Sequence, residues 1–117
     1  MMKNEFIPYE EALALKELGF DEFTVAAYVD NELDIGGLWK DSVTSKVIHK
    51  APLYQQAFRW FREKYNCHYN LFAGVNKWSY VVVGIKQDTE EGFETYQEAQ
   101  DACLRKLIEI VNQNKDE

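Results

Sequence analysis

Residues 67–85 read CHYNLFAGVNKWSYVVVGI, and this stretch decides the kind of fold that the chain adopts. Its second half, Trp78–Ile85, is rich in the aromatic and β-branched residues that favour strands. The first half, Cys67–Ala73, is separated from it by residues 74–77, a short run that contains the glycine and asparagine typical of turns. The stretch therefore predicts an antiparallel hairpin. Strand alternation places one set of residues on a single face: Trp78, Tyr80, Val82 and Gly84.

A helix is predicted on each side of this hairpin. Pro52 opens the earlier helix, because proline lacks the N–H group that would be unpaired in a first turn, and Asn66 suits its end. The later helix starts with residues 95–98 (TYQE), which match the capping box, and its apolar side ends at Val111. We expect the polar residues after Val111 to fray and residues 88–94, which precede the box, to form an acidic loop.

The first third of the chain predicts another helix followed by another hairpin. The helix is expected over residues 8–18, with Gly19 in the left-handed position of a Schellman closure. Two alternating segments, 23–29 and 33–39, then predict the hairpin, and Gly36-Gly37 marks a bulge or the end of pairing. Residues 40–51 form a long connection that either packs down or contains another short strand.

These elements give the order α-β-β-α-β-β-α. The order predicts an α+β fold, in which an antiparallel sheet of about four strands carries three helices mainly on one face. A length of 117 residues suits one domain, so residues 1–117 are expected to form a single α+β domain.

Charge is distributed unevenly along the chain, whose formal net charge is −7. Residues 1–35 carry nine acidic and two basic side chains, and residues 87–117 carry nine acidic and three basic ones. Residues 36–86 carry eight basic and two acidic side chains, so the middle of the chain is basic. Either the acidic ends neutralise this middle, or the middle forms a basic patch on an acidic protein.

No motif in the sequence predicts catalysis, a cofactor or a metal site. Cys67 and His68 are neighbours in a predicted strand and point to opposite faces, so they do not readily share a ligand. A zinc site would need both of them to meet His49 and Cys103 from elsewhere in the chain. We therefore predict no catalytic, cofactor-binding or metal-binding residues, and the leaning is towards a protein that is not an enzyme. No apolar run follows Lys3 and none is long enough to cross a bilayer, which predicts no signal peptide, no membrane partner and a cytoplasmic location.

The second helix and the hairpin after it carry the candidate partner-binding residues. Aromatic side chains on this helix outnumber those that one core-facing stripe needs, and basic side chains are interleaved with them. One interpretation assigns most of these aromatic residues to the core; the other leaves Trp60 or Tyr54 exposed as an anchor for a partner. The candidate residues are Tyr54, Arg59, Trp60, Arg62, Lys64, Tyr69, Lys77 and Trp78.

Residues 6–21, 53–65 and 96–108 resemble a family of small uncharacterised proteins of phages and mobile elements in Bacteroides-type bacteria. The block AFRWFREK, residues 57–64, is the most specific part of the resemblance. It implies a phage or prophage accessory role and assigns no functional residue. Our first hypothesis is a non-enzymatic module that binds a host protein or itself, with a homodimer as one form. The alternative is a nucleic-acid-binding module that uses the basic and aromatic segment 50–78, although the net charge disfavours a polyanion.

Overall fold

The computed structural model describes residues 5–29, 32–39 and 48–115 of the chain. Over these ranges it contains three helices and six strands, and the chain divides into two units, Met1–Ala57 and Phe58–Glu117. The described strands form two three-stranded antiparallel sheets, one before and one after the boundary. The predicted α+β class is confirmed, and the strands that we expected in one sheet of about four are divided between two sheets. That the whole chain is a single domain stays a prediction.

The first helix, α1, spans Tyr9–Glu17 and ends as the sequence predicts. The N–H groups of Gly19 and Phe20 donate to the carbonyls of Lys16 and Leu15 at 3.1 and 3.0 Å. These are the two hydrogen bonds of a Schellman motif. The residue before the helix is its N-cap, so α1 is one residue shorter at each end than predicted.

The sheet of the first unit has the order β2-β1-β3. Strands β1 (Thr24–Val29) and β2 (Glu32–Trp39) are the predicted hairpin, and their register shifts opposite the Gly36-Gly37 pair. Strand β3 (Ile48–Lys50) is the short strand that was one of the two possibilities for residues 40–51, and it lies beside α1. A small core forms between this sheet and the chain before α1, and its buried members are Phe6, Ala26 and Ala51.

The sheet of the second unit is a meander in the order β4-β5-β6. Helix α2 (Tyr54–Tyr65) contains the boundary between the units and leads into β4 (His68–Ala73). Strand β5 (Trp78–Val83) pairs with β4 in the register that places Leu71 opposite Tyr80. The hairpin predicted for residues 67–85 is therefore confirmed.

The third strand of this sheet, β6 (Asp88–Phe93), replaces the acidic loop that the sequence predicts, so that prediction is wrong. Its sequence, DTEEGF, has two β-branched or aromatic residues, whereas β5 has five. An edge strand needs main-chain pairing on one side only, and charged side chains are typical of strands in that position. Composition therefore conceals a strand that β5 holds in place through backbone hydrogen bonds.

Helix α3 (Tyr96–Lys115) packs against all three strands of the second sheet. The N–H of Glu98 donates to the Thr95 hydroxyl at 3.1 Å, as in the predicted capping box, and that hydroxyl donates to the Glu98 carboxylate at 3.2 Å. The helix continues past Val111 instead of fraying there, and Gln113 donates to the Glu109 carboxylate at 3.3 Å across one turn. Neither α3 nor any other helix of the described ranges is long and apolar enough to cross a membrane.

Two segments of backbone approach each other closely where β5 ends. Asn66, with φ of 54°, ends α2, and Gly84, with φ of 144°, follows β5. A Cβ atom placed on Gly84 would lie 2.6 Å from the Asn66 carbonyl oxygen and 2.9 Å from the Cys67 Cα. The gap between these segments therefore has room for a hydrogen atom and not for a methyl group.

Candidate functional site

The four aromatic candidates are packed to different depths. Tyr54 and Trp60 are buried, whereas Tyr69 and Trp78 are half-buried. The Trp60 ring lies edge-on to Phe61 at 5.1 Å between centroids, and the exposed fraction of its side chain is only 5%. The interpretation in which Tyr54 or Trp60 is an exposed anchor is therefore wrong. The reason is that α2 buries a face broad enough to cover both rings.

Tyr69 and Trp78 belong to the face of the second sheet that α3 covers. The Tyr69 ring stacks on Phe58 at 4.0 Å, and the Trp78 ring lies edge-on to Tyr96 of α3 at 5.1 Å. Burial raises the pKa of Tyr69, with smaller effects from Tyr96 and Cys103, while Arg62 opposes the rise. Both rings therefore contribute to packing between this sheet and the helices.

The four basic candidates are exposed, and Lys77 is paired with an acidic side chain. Lys64 lies over the rings of Trp60 and Tyr65, with its Nζ atom 5.2 and 5.8 Å from their centroids. Lys77 forms an ion pair with Glu94 of the chain just before α3. Arg59 and Arg62 lie on the exposed side of α2.

At least one basic residue in the middle of the chain is not exposed. Lys50 is buried with its Nζ atom 5.7 Å from the Phe20 ring centroid, and Lys40 and Lys46 lie outside the described residues. An aromatic residue must be exposed to stack on a base, and the candidate rings in this segment are buried or half-buried. Tyr54 and Trp60 are therefore too deeply buried to stack on a base.

The second sheet has a further surface, formed by residues outside the eight candidates. Pairing register and strand alternation place a second set of side chains opposite the face that α3 covers. We call this set the outer sheet face; its members are His68, Asn70, Phe72, Ser79, Val81, Val83, Thr89 and Glu91. Phe72 is 42% exposed and Val83 is 40% exposed, and Val81 between them is half-buried.

A shallow depression adjoins Phe72 at the turn end of this face. Its volume is about 400 Å³, and its lining residues are Gly74, Val75, Lys77, Ser79, Glu91 and Gly92. Ser79 is opposite Phe72 on one side and Glu91 on the other, so the depression continues the outer sheet face. Val75 at its rim is 91% exposed, which adds a further apolar side chain to this end of the sheet.

The cysteines and histidines do not form a metal centre in the described part of the chain, where no three His, Cys, Asp or Glu side chains converge. Cys67 and Cys103 are both unpaired thiols in buried positions. Burial raises the pKa of the Cys103 thiol to about 12, so it stays protonated and is a poor nucleophile. His68 is exposed, and its ring forms a hydrogen bond of 3.0 Å with the Asn66 side chain.

His49 is buried in the first unit, and its titration gives a testable effect on stability. Burial lowers its pKa from 6.5, and the charge of Lys16 lowers it further. The unfolded chain therefore binds a proton at a higher pH than the folded chain, so stability is lost as the pH falls through about 6.5. We expect the free energy of unfolding to fall by up to about 1.4 kcal/mol per pH unit below this point, because one proton is involved.

Denaturant unfolding between pH 7.5 and 5.5, above the range in which carboxylates titrate, measures this effect. The His49 ring lies edge-on to Tyr9, with 5.6 Å between the ring centroids, and His49→Phe keeps an aromatic ring in that place. This variant should remove the loss of stability at low pH. His68→Gln, the matched control at the exposed histidine, should keep it. An equal decline in wild type and His49→Phe would contradict the assignment.

Comparison with known proteins adds no assignment to this geometry. The chain matches no protein-family model, no curated protein and no solved structure.

Proposed function

We propose that the protein is a non-enzymatic protein-binding module, and that the outer sheet face is its binding surface. The observation that carries the proposal is the exposure of Phe72 and Val83 on the face opposite α3. A sheet with one covered face normally presents polar side chains on the other. Large apolar side chains in that position are therefore a feature that folding of this sheet does not require.

The apolar side chains of this face lie close enough to act together. Val81 and Val83 are two residues apart on β5, and Phe72 is diagonal to Val81 across the β4–β5 pair. Diagonal positions of this kind are about 7 to 8 Å apart, within reach of an aromatic ring. Polar side chains surround this group: His68, Asn70, Thr89 and Glu91. An apolar patch with a polar rim is typical of a protein-interaction site.

The depression at the turn end gives the outer sheet face a concave region in addition to its apolar area. It brings small residues, Gly74, Ser79 and Gly92, together with the charged side chains of Lys77 and Glu91. A partner side chain inserted into it would meet the apolar side chain of Val75 and hydrogen-bonding groups beside it. Pockets that hold one anchoring side chain provide much of the affinity in many protein interfaces.

Binding of nucleic acid has less support than binding of protein. Glu91 places a carboxylate on the outer sheet face, and Lys77 beside it is already paired with Glu94. A polyanion needs several unopposed cations to release counterions, and the chain has a net charge of −7. An accessory role of the phage type, which the resemblance implies, and a cytoplasmic location are also part of the proposal.

Site-specific photo-crosslinking tests the proposal. A benzophenone amino acid replaces Phe72 or Val83 on the outer sheet face, or Arg105 on the exposed side of α3 as the control. In host cells, we expect discrete protease-sensitive adducts from positions 72 and 83 and none from position 105. Adducts that nuclease removes would favour the alternative instead. Equal labelling from all three positions, or none from 72 and 83, would overturn the proposal.

A further inference from the structure

The two edge strands of the second sheet are protected very differently. Strand β6 carries three carboxylates, on Asp88, Glu90 and Glu91, and a bulge in which Gly92, with φ of 93°, is the extra residue. Charged side chains and bulges are two of the devices that prevent edge-to-edge pairing. Strand β4 (HYNLFA) has no Asp, Glu, Lys, Arg or Pro, and its register with β5 is regular.

Strand β4 also has an outer edge that no other described strand covers. Among the described strands it pairs with β5 alone, so one row of its N–H and C=O groups has no partner strand in the sheets formed there. None of its six side chains is buried, whereas β5 buries three of its six. An exposed, regular and uncharged edge of this length is a template for pairing with another strand.

We propose that β4 pairs antiparallel with β4 of a second copy of this chain, which joins two three-stranded sheets into one of six strands. The inference goes beyond the proposed function, because it concerns the unpaired edge of the sheet and not its outer face. Pairing of β4 with itself brings no acidic or basic side chain of β4 opposite another of the same sign, apart from the titratable His68. Pairing of β6 with itself would set carboxylates against carboxylates, which is destabilising.

Closure also favours the second copy as the occupant of this edge. A β4–β4 contact is isologous, so the joined sheet ends on both sides with the charged and bulged β6 strands. A contact between β4 of one copy and β6 of the next would leave a β4 edge at every step and extend without limit. The charges are therefore placed on the edge that must stay unpaired in a closed dimer.

The faces of the sheet limit the register of this pairing. Opposite residues in an antiparallel pair share a face, so a two-fold axis through Asn70 keeps both outer sheet faces on the same side. Phe72 then lies opposite His68 of the second copy, and Tyr69 lies opposite Leu71 of the second copy. These pairs match ring with ring and apolar with apolar, whereas an axis through Leu71 would match Phe72 with an asparagine. The two outer sheet faces become one continuous surface.

Light scattering and sedimentation test the dimer with a matched pair of variants. Wild type should show a concentration-dependent species of twice 13.7 kDa. Asn70→Lys places two lysines opposite each other at the axis and should raise the dissociation constant of the dimer by roughly tenfold or more. Thr89→Lys adds the same charge to the same face on β6 and should leave it unchanged. A monomer at all concentrations, or equal effects of both variants, would overturn the inference.

A disulfide test reports the register and does not depend on the stability of the lysine variant. Opposite residues have Cα atoms about 4.5 to 5.5 Å apart, within the range that a disulfide needs. Asn70→Cys should therefore form a crosslinked dimer under mild oxidation, while the buried Cys67 and Cys103 do not react. Val75→Cys, at the exposed turn, is the control for random collision. Equal crosslinking by both variants would exclude the proposed pairing.

The two proposals fail in different ways. If the protein is a monomer and still gives protein adducts from position 83, the dimer is excluded and the outer sheet face remains a binding site. If the Asn70→Cys crosslink forms in a dimer but position 83 gives no adduct, the strand pairing is supported and the outer sheet face is excluded as a binding site. Position 83 distinguishes them because β5 lies one strand away from the proposed axis.

Discussion

Gly84→Ala is expected to lower the free energy of unfolding of the second unit by roughly 3 kcal/mol or more, a loss in the upper range for single substitutions. The added methyl group would lie 2.6 Å from the Asn66 carbonyl oxygen, well inside van der Waals contact. Both groups in conflict belong to backbone, so no side-chain rotation relieves the overlap. The φ of 144° at this position adds strain for any residue with a Cβ atom. Denaturant unfolding followed by circular dichroism measures the loss.

Gly92→Ala separates the steric effect from the conformational one. Gly92 has φ of 93°, but a Cβ atom placed there meets nothing within 4 Å. We therefore expect this control to cost only about 1 to 2 kcal/mol, the cost of a left-handed conformation. If the two variants lost the same stability, the close approach of Gly84 to Asn66 would not be the cause.

The second large effect is expected for Trp60→Ala, which should lower the free energy of unfolding by about 3 to 5 kcal/mol. The buried Trp60 ring lies edge-on to Phe61 and to Tyr65, at 5.1 and 5.5 Å between centroids. Its removal leaves a cavity and also removes the ring over which Lys64 lies. Chemical denaturation measured by circular dichroism tests this value without relying on tryptophan fluorescence.

Arg59→Ala is the control for a surface role of α2. Arg59 is the neighbour of Trp60 on the exposed side of the same helix, so we expect its removal to change stability by less than about 1 kcal/mol. A Trp60→Ala variant as stable as wild type would contradict the burial of this ring. It would also restore the interpretation in which Trp60 is an anchor for a partner.

The helices and strands of this fold could be predicted from the sequence where the contacts that define them join residues close together in the chain. The Schellman closure at Gly19, the capping box at Thr95 and the β4–β5 hairpin each depend on residues within one turn or one loop. Strand β6 was missed because an edge strand needs pairing on one side only and therefore tolerates carboxylates. Its pairing depends on β5 and is invisible in its own composition.

The candidate site was harder to predict than the fold. Alternation along β5 separates Tyr80 and Val82 from Val81 and Val83, so the sequence identifies two faces. It does not say which face the helices cover, and that choice alone makes Phe72 and Val83 exposed. The sequence of α2 likewise shows how many aromatic residues the helix carries, but it does not show how wide the buried face of the helix is. For this reason Trp60 was a candidate anchor.

The meander of the second sheet has a consequence for how the protein folds. Strands β4, β5 and β6 are consecutive, and each pairs with the next across only four residues, 74–77 and 84–87. Closing such short loops has a small entropic cost, and sheets built from local pairings form quickly. In the first sheet, β1 meets β3 only after an intervening stretch of 18 residues that includes β2. The β1–β3 pairing therefore has the higher contact order, and we expect it to form later than the meander.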